Sequence, residues 1–124
     1  MERKMMPTNM LAVAERLWQE DDFVLLCHVA PDGDAMGSTL ALLSVLQRMG
    51  KRVYAVCDGT APHGLSKVLD VDRIAVYKEG EHARAAVAVA LDCADRERMG
   101  AAGWLFDSAH CKIVIDHHMS NPFF

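Results

Sequence analysis

Acidic and histidine side chains follow three apolar, strand-like runs of this sequence. In chain order they are His28, Asp32 and Asp34 after the first run, Asp92 after the second, and Asp116, His117 and His118 after the third. Because ligands bind at the carboxyl ends of the strands in open parallel sheets, we expect these three loops to converge although they lie far apart in the chain. The sequence therefore predicts one cluster of imidazoles and carboxylates.

Such a cluster favours bound cations, because neighbouring carboxylates repel one another unless positive charge neutralises them. Imidazole and carboxylate ligands without thiolate suit Mn²⁺, Mg²⁺, Fe²⁺ or Zn²⁺. The predicted ligands are enough for two divalent ions, whose charge exceeds that of Asp32, Asp34 and Asp92 together. Two ions about 3.5–4 Å apart can activate water and stabilise an in-line phosphoryl displacement. The expected chemistry is therefore hydrolysis of a phosphate ester.

Each of these residues also has an ordinary structural interpretation. Asp32 can close a turn, Asp34 can cap a helix and Asp92 can end a strand. His117 and His118 can be surface loop residues. The coincidence at three strand ends favours the site over these alternatives. Three other histidines do not belong to these loops and are interpreted as ordinary surface or partly packed residues: His63, His82 and His110.

The composition bounds the class of protein. The 124 residues fit one compact domain, and 52% of them are apolar. The formal charge, 13 − 17 = −4, disfavours non-specific binding of nucleic acid. The sequence has no apolar run of about 18 residues, so no membrane span is expected, and no apolar segment follows the charged N-terminus as in a signal peptide. We expect a cytoplasmic protein with four buried, reduced thiols: Cys27, Cys57, Cys93 and Cys111.

Apolar periodicity predicts strands that alternate with helices. Long helices are expected over 8–20, capped by Thr8 or Asn9, and over 36–49, followed by Gly50 at the C′ position. Short helices are expected over 63–69, after Asp95 and over 104–109. The predicted strands are 23–27, 53–57, 74–77, 86–91 and 112–115. The pattern predicts an α/β fold, a mostly parallel sheet with helices on both faces.

Three motifs give these residues a family resemblance. The segment His28-Val29-Ala30-Pro31-Asp32-Gly33-Asp34-Ala35-Met36-Gly37-Ser38 resembles the first motif of the DHH phosphoesterases, whose domain is Rossmann-like. It is most similar to the branch of the oligoribonucleases and phosphoadenosine-phosphate phosphatases. Asp92 resembles the second motif, and Asp116-His117-His118 with Asn121 resembles the third. The resemblance spans nearly the whole chain, and three motifs in order are specific where a lone DHH is not.

The resemblance implies a ligand set for two metals. His28, Asp32 and Asp92 would hold one ion, and Asp34, Asp92 and His117 would hold the other, so that Asp92 bridges them. The usual ion of the family is Mn²⁺, with Mg²⁺ as the alternative. The attacking group would be a hydroxide that bridges the two ions.

The remaining residues of the motifs would act around the ions. His118 would face the substrate phosphate or assist the leaving group, and Asp116 would orient a ligand without binding metal itself. Ser38 and Asn121 are the further candidates for contact with substrate or with the ligands.

The sequence also departs from the family. Members carry a fourth motif, which adds an aspartate to the second metal, and a DHHA1-type domain that binds substrate; neither occurs in the 124 residues. We therefore expect 1–124 to be the N-terminal portion of a DHH catalytic domain, truncated at its C-terminus. The portion alone is expected to be weak or inactive, and the intact protein to be an enzyme, because losing substrate positioning raises the barrier by several kcal/mol.

The leading functional hypothesis is a hydrolase of short RNA or phosphoadenosine phosphate. A homodimer is considered as an oligomeric state of the intact protein. Single-strand DNA exonuclease, cyclic-dinucleotide phosphodiesterase and inorganic pyrophosphatase activities are the less favoured alternatives within the family. A non-catalytic nucleotide-binding or regulatory module is the alternative of a different class. A nicotinamide-binding Rossmann domain is excluded, because no G-x-G-x-x-G follows the first strand.

Overall fold

Five parallel strands form one sheet in a computed structural model that describes residues 8–93 and 95–117. The strands are β1 Phe23–Leu26, β2 Val53–Cys57, β3 Ile74–Val76, β4 Val87–Leu91 and β5 Cys111–Ile115. The α-helices are α1 Met10–Gln19, α2 Gly33–Arg48 and α3 Gly103–Ser108, and 3₁₀ segments cover Leu65–Lys67, Val71–Arg73 and Arg96–Ala102. The α/β fold with helices on both faces of the sheet is confirmed.

The order of the strands, β3-β2-β1-β4-β5, places β1 at the centre of the sheet. The chain moves outward from β1 through β2 to β3 and then returns to add β4 on the other side of β1. Ligands of such sheets bind where the order reverses, outside the carboxyl ends of the strands. That crevice lies here between β1 and β4, whose register pairs Leu26 with Ala90.

The buried side chains of β1 serve two cores, because successive side chains of a strand point to opposite faces of the sheet. Phe23 and Leu25 belong to the core under α1 and α2. Val24 and Leu26 belong to the core under α3. The continuous apolar run of β1 is therefore explained by burial on both faces. The predicted burial of the four cysteines is also confirmed, and none of the described helices is long and apolar enough to cross a bilayer.

The start of α2 differs from the prediction. The helix begins at Gly33 rather than at Met36, because the Asp32 carboxylate accepts the N–H of Ala35 at 2.8 Å and caps the first turn. The apolar pattern does not reveal this first turn, since Gly33 and Asp34 are exposed and only Ala35 reaches the core before Met36. The helix therefore starts between Asp32 and Asp34, the two acidic residues of the first motif.

Other boundaries agree more closely. Asn9, rather than Thr8, caps α1 by accepting the N–H of Ala12 at 2.9 Å. Gly50 adopts a left-handed conformation, φ +78°, after α2, as expected of a C′ glycine. The short helix expected over 63–69 is confined to the single 3₁₀ turn Leu65–Lys67.

Candidate metal centre

The side chain of Asp92 lies at the centre of the site, directly after β4, and is only 4% exposed. Its Oδ1 is 2.8 Å from Nε2 of His117, and its Oδ2 is 3.8 Å from Nε2 of His28. The two oxygens of one carboxylate thus face two different imidazoles. The backbone of Asp92 has φ +54°, a left-handed conformation that aspartate adopts more readily than most residues, and its N–H donates to the carbonyl of Ile115 at 3.0 Å.

Two groups of three possible metal ligands share this carboxylate. One comprises His28, Asp32 and Asp92, and the other comprises Asp34, Asp92 and His117. Within each group the ligand atoms lie within 4.8 Å of one another. Metal bonds of about 2.0–2.2 Å place ligand atoms about 3 Å apart in adjacent positions and about 4 Å apart in opposite ones. Small side-chain movements would therefore close either group around an ion.

His28 gives an independent indication that the residues fit a cation. The imidazole is buried, and its Nε2 lies 3.8 Å from Asp92 and 3.9 Å from Asp32, too far for hydrogen bonds. Its Nδ1 is also buried and has no hydrogen-bond partner within 8–93 and 95–117. Buried polar groups are seldom left without partners. A cation between Nε2 and the two carboxylates would give Nε2 a closer partner than either carboxylate, although it would not bind Nδ1.

The first turn of α2 supplies one ligand to each group. Asp32 Oδ1 caps the helix and also faces His28, whereas Asp34 Oδ2 lies 2.9 Å from Nε2 of His117. The capping role considered for Asp34 therefore belongs to Asp32. Both carboxylates lie at the positive end of the helix dipole, which stabilises negative charge there.

His117 is the exposed member of the second group, and its Nε2 lies near the carboxylates of Asp34 and Asp92. The hydrogen bond to Asp92, and then the charge of Asp34, raise the pKa of His117 above its usual value. An imidazolium has no free lone pair for a metal, so His117 must lose a proton when it binds one. Protonation of His117 and binding of a metal by its Nε2 are therefore mutually exclusive.

Binding of Mn²⁺ to the chain is expected to weaken as the pH falls through the raised pKa of His117. In calorimetric titrations at pH values of about 6 and about 8, we expect tighter binding at the higher pH and proton release on binding. The metal-free chain has the opposite dependence: a raised pKa stabilises it below the unfolded-state pKa, and this is lost as the pH rises through the folded-state pKa. Equal Mn²⁺ affinity at both pH values, without proton release, would argue against His117 as a ligand.

The other residues of the motifs lie around or outside these groups. Ser38 is half-buried on α2, and Asp116 is half-buried after β5; neither belongs to the two ligand groups among the described residues. His118 and Asn121 lie outside the described residues, so their roles stay predictions. His82 stacks on Tyr77 with ring centroids 5.0 Å apart and belongs to neither ligand group, as expected of an ordinary packed histidine.

Three residues near the carboxyl ends of the strands were not identified from the sequence: Asp58, Gly59 and Gly100. The Asp58 carboxylate accepts the N–H of Ala101 at 2.7 Å. Asp58 directly follows β2, as Asp92 directly follows β4. An acidic residue at the end of a fourth predicted strand was therefore the available signal.

Comparison with known proteins agrees with the motifs. The N-terminal domain of the DHH family matches residues 22–124. The chain is 33% identical over 108 residues to the "Bifunctional oligoribonuclease and PAP phosphatase NrnA" of Thermus thermophilus, a match that covers 85% of this chain and 30% of that protein. The fold resembles the crystal structure of an exopolyphosphatase-related protein from Bacteroides fragilis, with a TM-score of 0.76 and 27% identity, covering 87% of this chain and 34% of that one.

The chain thus spans about a third of the length of these relatives. The family match, by contrast, covers most of this chain and contains every proposed ligand, from His28 to His117. The resemblance first seen in three short motifs is confirmed: this chain belongs to the DHH family, whose N-terminal domain it carries.

Proposed function

We propose that this chain carries the two-metal centre of a phosphoesterase that hydrolyses short oligoribonucleotides, phosphoadenosine phosphate or both. The observation that carries the proposal is the buried carboxylate of Asp92, shared by two groups of possible ligands. Membership of the DHH family supports hydrolysis of phosphate esters, and the similarity to the Thermus thermophilus protein supports nucleotide substrates. The proposed activity belongs to the full-length protein, because the chain spans only part of its relatives.

The proposed ions are two Mn²⁺, with Mg²⁺ as the alternative. His28, Asp32 and Asp92 would hold the first, and Asp34, Asp92 and His117 would hold the second. Each set combines one imidazole with two carboxylates and has no thiolate, which suits these ions better than softer ones. When bound, two divalent ions activate water and neutralise the oxygens of the phosphoryl group.

The residues of the chain would orient this chemistry. Burial and the hydrogen bond to β5 hold Asp92 in one position, so its two oxygens remain directed to the two ligand groups. The N-terminus of α2 adds positive potential where an anionic phosphate would approach. We assign His118 to the substrate phosphate or the leaving group, and Asp116 to orientation of a ligand. Ser38 and Asn121 are assigned to contact with substrate.

A phosphoanhydride substrate is the second candidate, favoured by the similarity to the exopolyphosphatase-related protein of Bacteroides fragilis. The same two ions would serve, because phosphate esters and phosphoanhydrides both expose phosphoryl oxygens to them. The two candidates therefore differ in the group that leaves, which the metal ligands do not select.

Calorimetric titration of this chain with Mn²⁺ tests the metal centre, and we expect two ions per chain. Turnover is measured on the Mn²⁺-loaded full-length protein with short oligoribonucleotides, phosphoadenosine phosphate and inorganic pyrophosphate as separate substrates. Hydrolysis of either nucleotide is the expected result, whereas hydrolysis of pyrophosphate alone would favour the second candidate. Binding of nucleotides without hydrolysis of any substrate would indicate a regulatory module instead.

A further inference from the structure

We propose that Asp58 is a positioning residue of the metal centre, which holds the loop that carries His28 through a clasp formed with Gly59 and Gly100. The inference deepens the proposed function, on which its metal-binding part rests. Asp58 belongs to neither ligand group among the described residues, so its role would be exerted through the backbone.

Hydrogen bonds connect Asp58 to the loop after β1. The Asp58 carboxylate accepts the N–H of Ala101 at 2.7 Å and thereby holds the 3₁₀ segment Arg96–Ala102. The carbonyl of Arg98, in the same segment, accepts the N–H of Val29 at 2.6 Å. Val29 directly follows the proposed ligand His28. The position of the carboxylate is therefore transmitted to the ligand through two hydrogen bonds and one short segment.

Two glycines allow the clasp to close. Gly100 has φ +61° and ψ −142°, and a Cβ there would collide with the Asp58 carboxylate and the side chain of Val29. A Cβ on Gly59 would collide with the carbonyl oxygen of Val29. Only glycine accommodates such close approaches without displacing the backbone. The loop after β1 is thus packed closely against both glycines through Val29.

Cys57, the residue before Asp58, contacts the proposed metal ligand His28 directly. The thiol of Cys57, which is buried at the end of β2, donates to the carbonyl of His28 at 3.2 Å. The end of β2 and the start of the segment after it therefore contact His28 and Val29 together.

The chemistry of His28 explains why backbone placement matters. A histidine that binds a metal usually donates its second ring nitrogen to a neighbouring acceptor, which fixes the orientation of the ring. The Nδ1 of His28 has no such acceptor among the residues that the structure describes. The direction of Nε2 toward Asp92 then depends on where the backbone of His28 lies, and the clasp sets that position.

Asp21 offers a control at the opposite end of the strands, before β1. Its carboxylate accepts the N–H of Arg52 at 2.8 Å, which is the same kind of bond as that between Asp58 and Ala101. Asp21 precedes β1, whereas Asp58 follows β2, so the two parallel strands place them at opposite ends of the sheet. Asp21→Ala and Asp58→Ala therefore both remove a bond from a carboxylate to a backbone N–H, at opposite ends of the sheet. Asp21→Ala also removes the contact of Oδ2 with Arg52 Nε at 3.3 Å.

The test compares wild type, Asp58→Ala, Asp58→Asn and Asp21→Ala in Mn²⁺ titration, thermal unfolding and amide hydrogen exchange. Asp58→Ala is expected to weaken Mn²⁺ binding about 10-fold, the effect typical of residues that orient a ligand, and to accelerate exchange of the Val29 amide. Asp58→Asn retains an oxygen acceptor and should recover most of the affinity. Asp21→Ala should lose comparable thermal stability without weakening Mn²⁺ binding.

Equal Mn²⁺ affinities for Asp58→Ala and Asp21→Ala, with unchanged exchange at Val29, would overturn the inference. If Asp58→Ala does not fold, Asp58→Ser takes its place with the same expected loss. If wild type itself binds no Mn²⁺, the proposed function fails. Exchange at Val29 then still decides whether Asp58 holds the loop, because that measurement needs no metal.

Discussion

Substituting Asp92 by asparagine is expected to remove binding at both metal sites and to abolish hydrolysis by the full-length protein. The amide keeps the shape of the side chain but loses its charge and replaces one ligand oxygen with an NH₂ group that cannot bind a cation. Since orienting residues alone are worth about 10–100-fold in metal affinity, loss of a shared ligand should cost at least about 100-fold. Calorimetry with Mn²⁺ measures the affinity, and turnover of a short oligoribonucleotide measures the activity.

Asp22→Asn is the matched control for this substitution. Asp22 also has a left-handed backbone, φ +68°. Its Oδ2 accepts the N–H of Ala86 at 3.1 Å, at the amino ends of β1 and β4. Asparagine tolerates that conformation and keeps the acceptor, so Mn²⁺ affinity should stay at the wild-type value. Two ions bound with normal affinity by Asp92→Asn would refute the bridging role.

Leu25→Ala is expected to destabilise the chain by about 2–5 kcal/mol, the usual cost of truncating a fully buried leucine. Leu25 is 0% exposed in the central strand, in the core under α1 and α2. Because domains are commonly stable by only about 5–15 kcal/mol, such a loss removes a large part of the total. Urea-induced unfolding followed by circular dichroism measures the change in the free energy of unfolding.

Leu11→Ala on α1 makes the same chemical change at a position that is 71% exposed. Its effect should stay within about 0.5 kcal/mol, as for most surface substitutions. Comparable losses of stability for Leu11→Ala and Leu25→Ala would show that Leu25 is not buried in the core under α1 and α2.

Much of the fold was predictable because its elements leave local patterns. The apolar run of β1 indicates a strand that is buried on both faces, and the structure buries each of its residues. Gly50 marks the end of α2 because the left-handed conformation favours glycine. The start of α2 was predicted at Met36, C-terminal to its true start at Gly33. The cap at Asp32 depends on one side-chain hydrogen bond, which apolar spacing does not reveal.

The sequence by itself determined which groups are available for chemistry: imidazoles and carboxylates, placed after strands. Only the tertiary structure decided how they combine. The return of the chain to place β4 beside β1 brings Asp92 next to His28, and local patterns carry no information on strand order. The division of ligands between two groups and the clasp of Asp58 depend on contacts between residues tens of positions apart. Such contacts arise from packing of the whole sheet, which short-range periodicity does not encode.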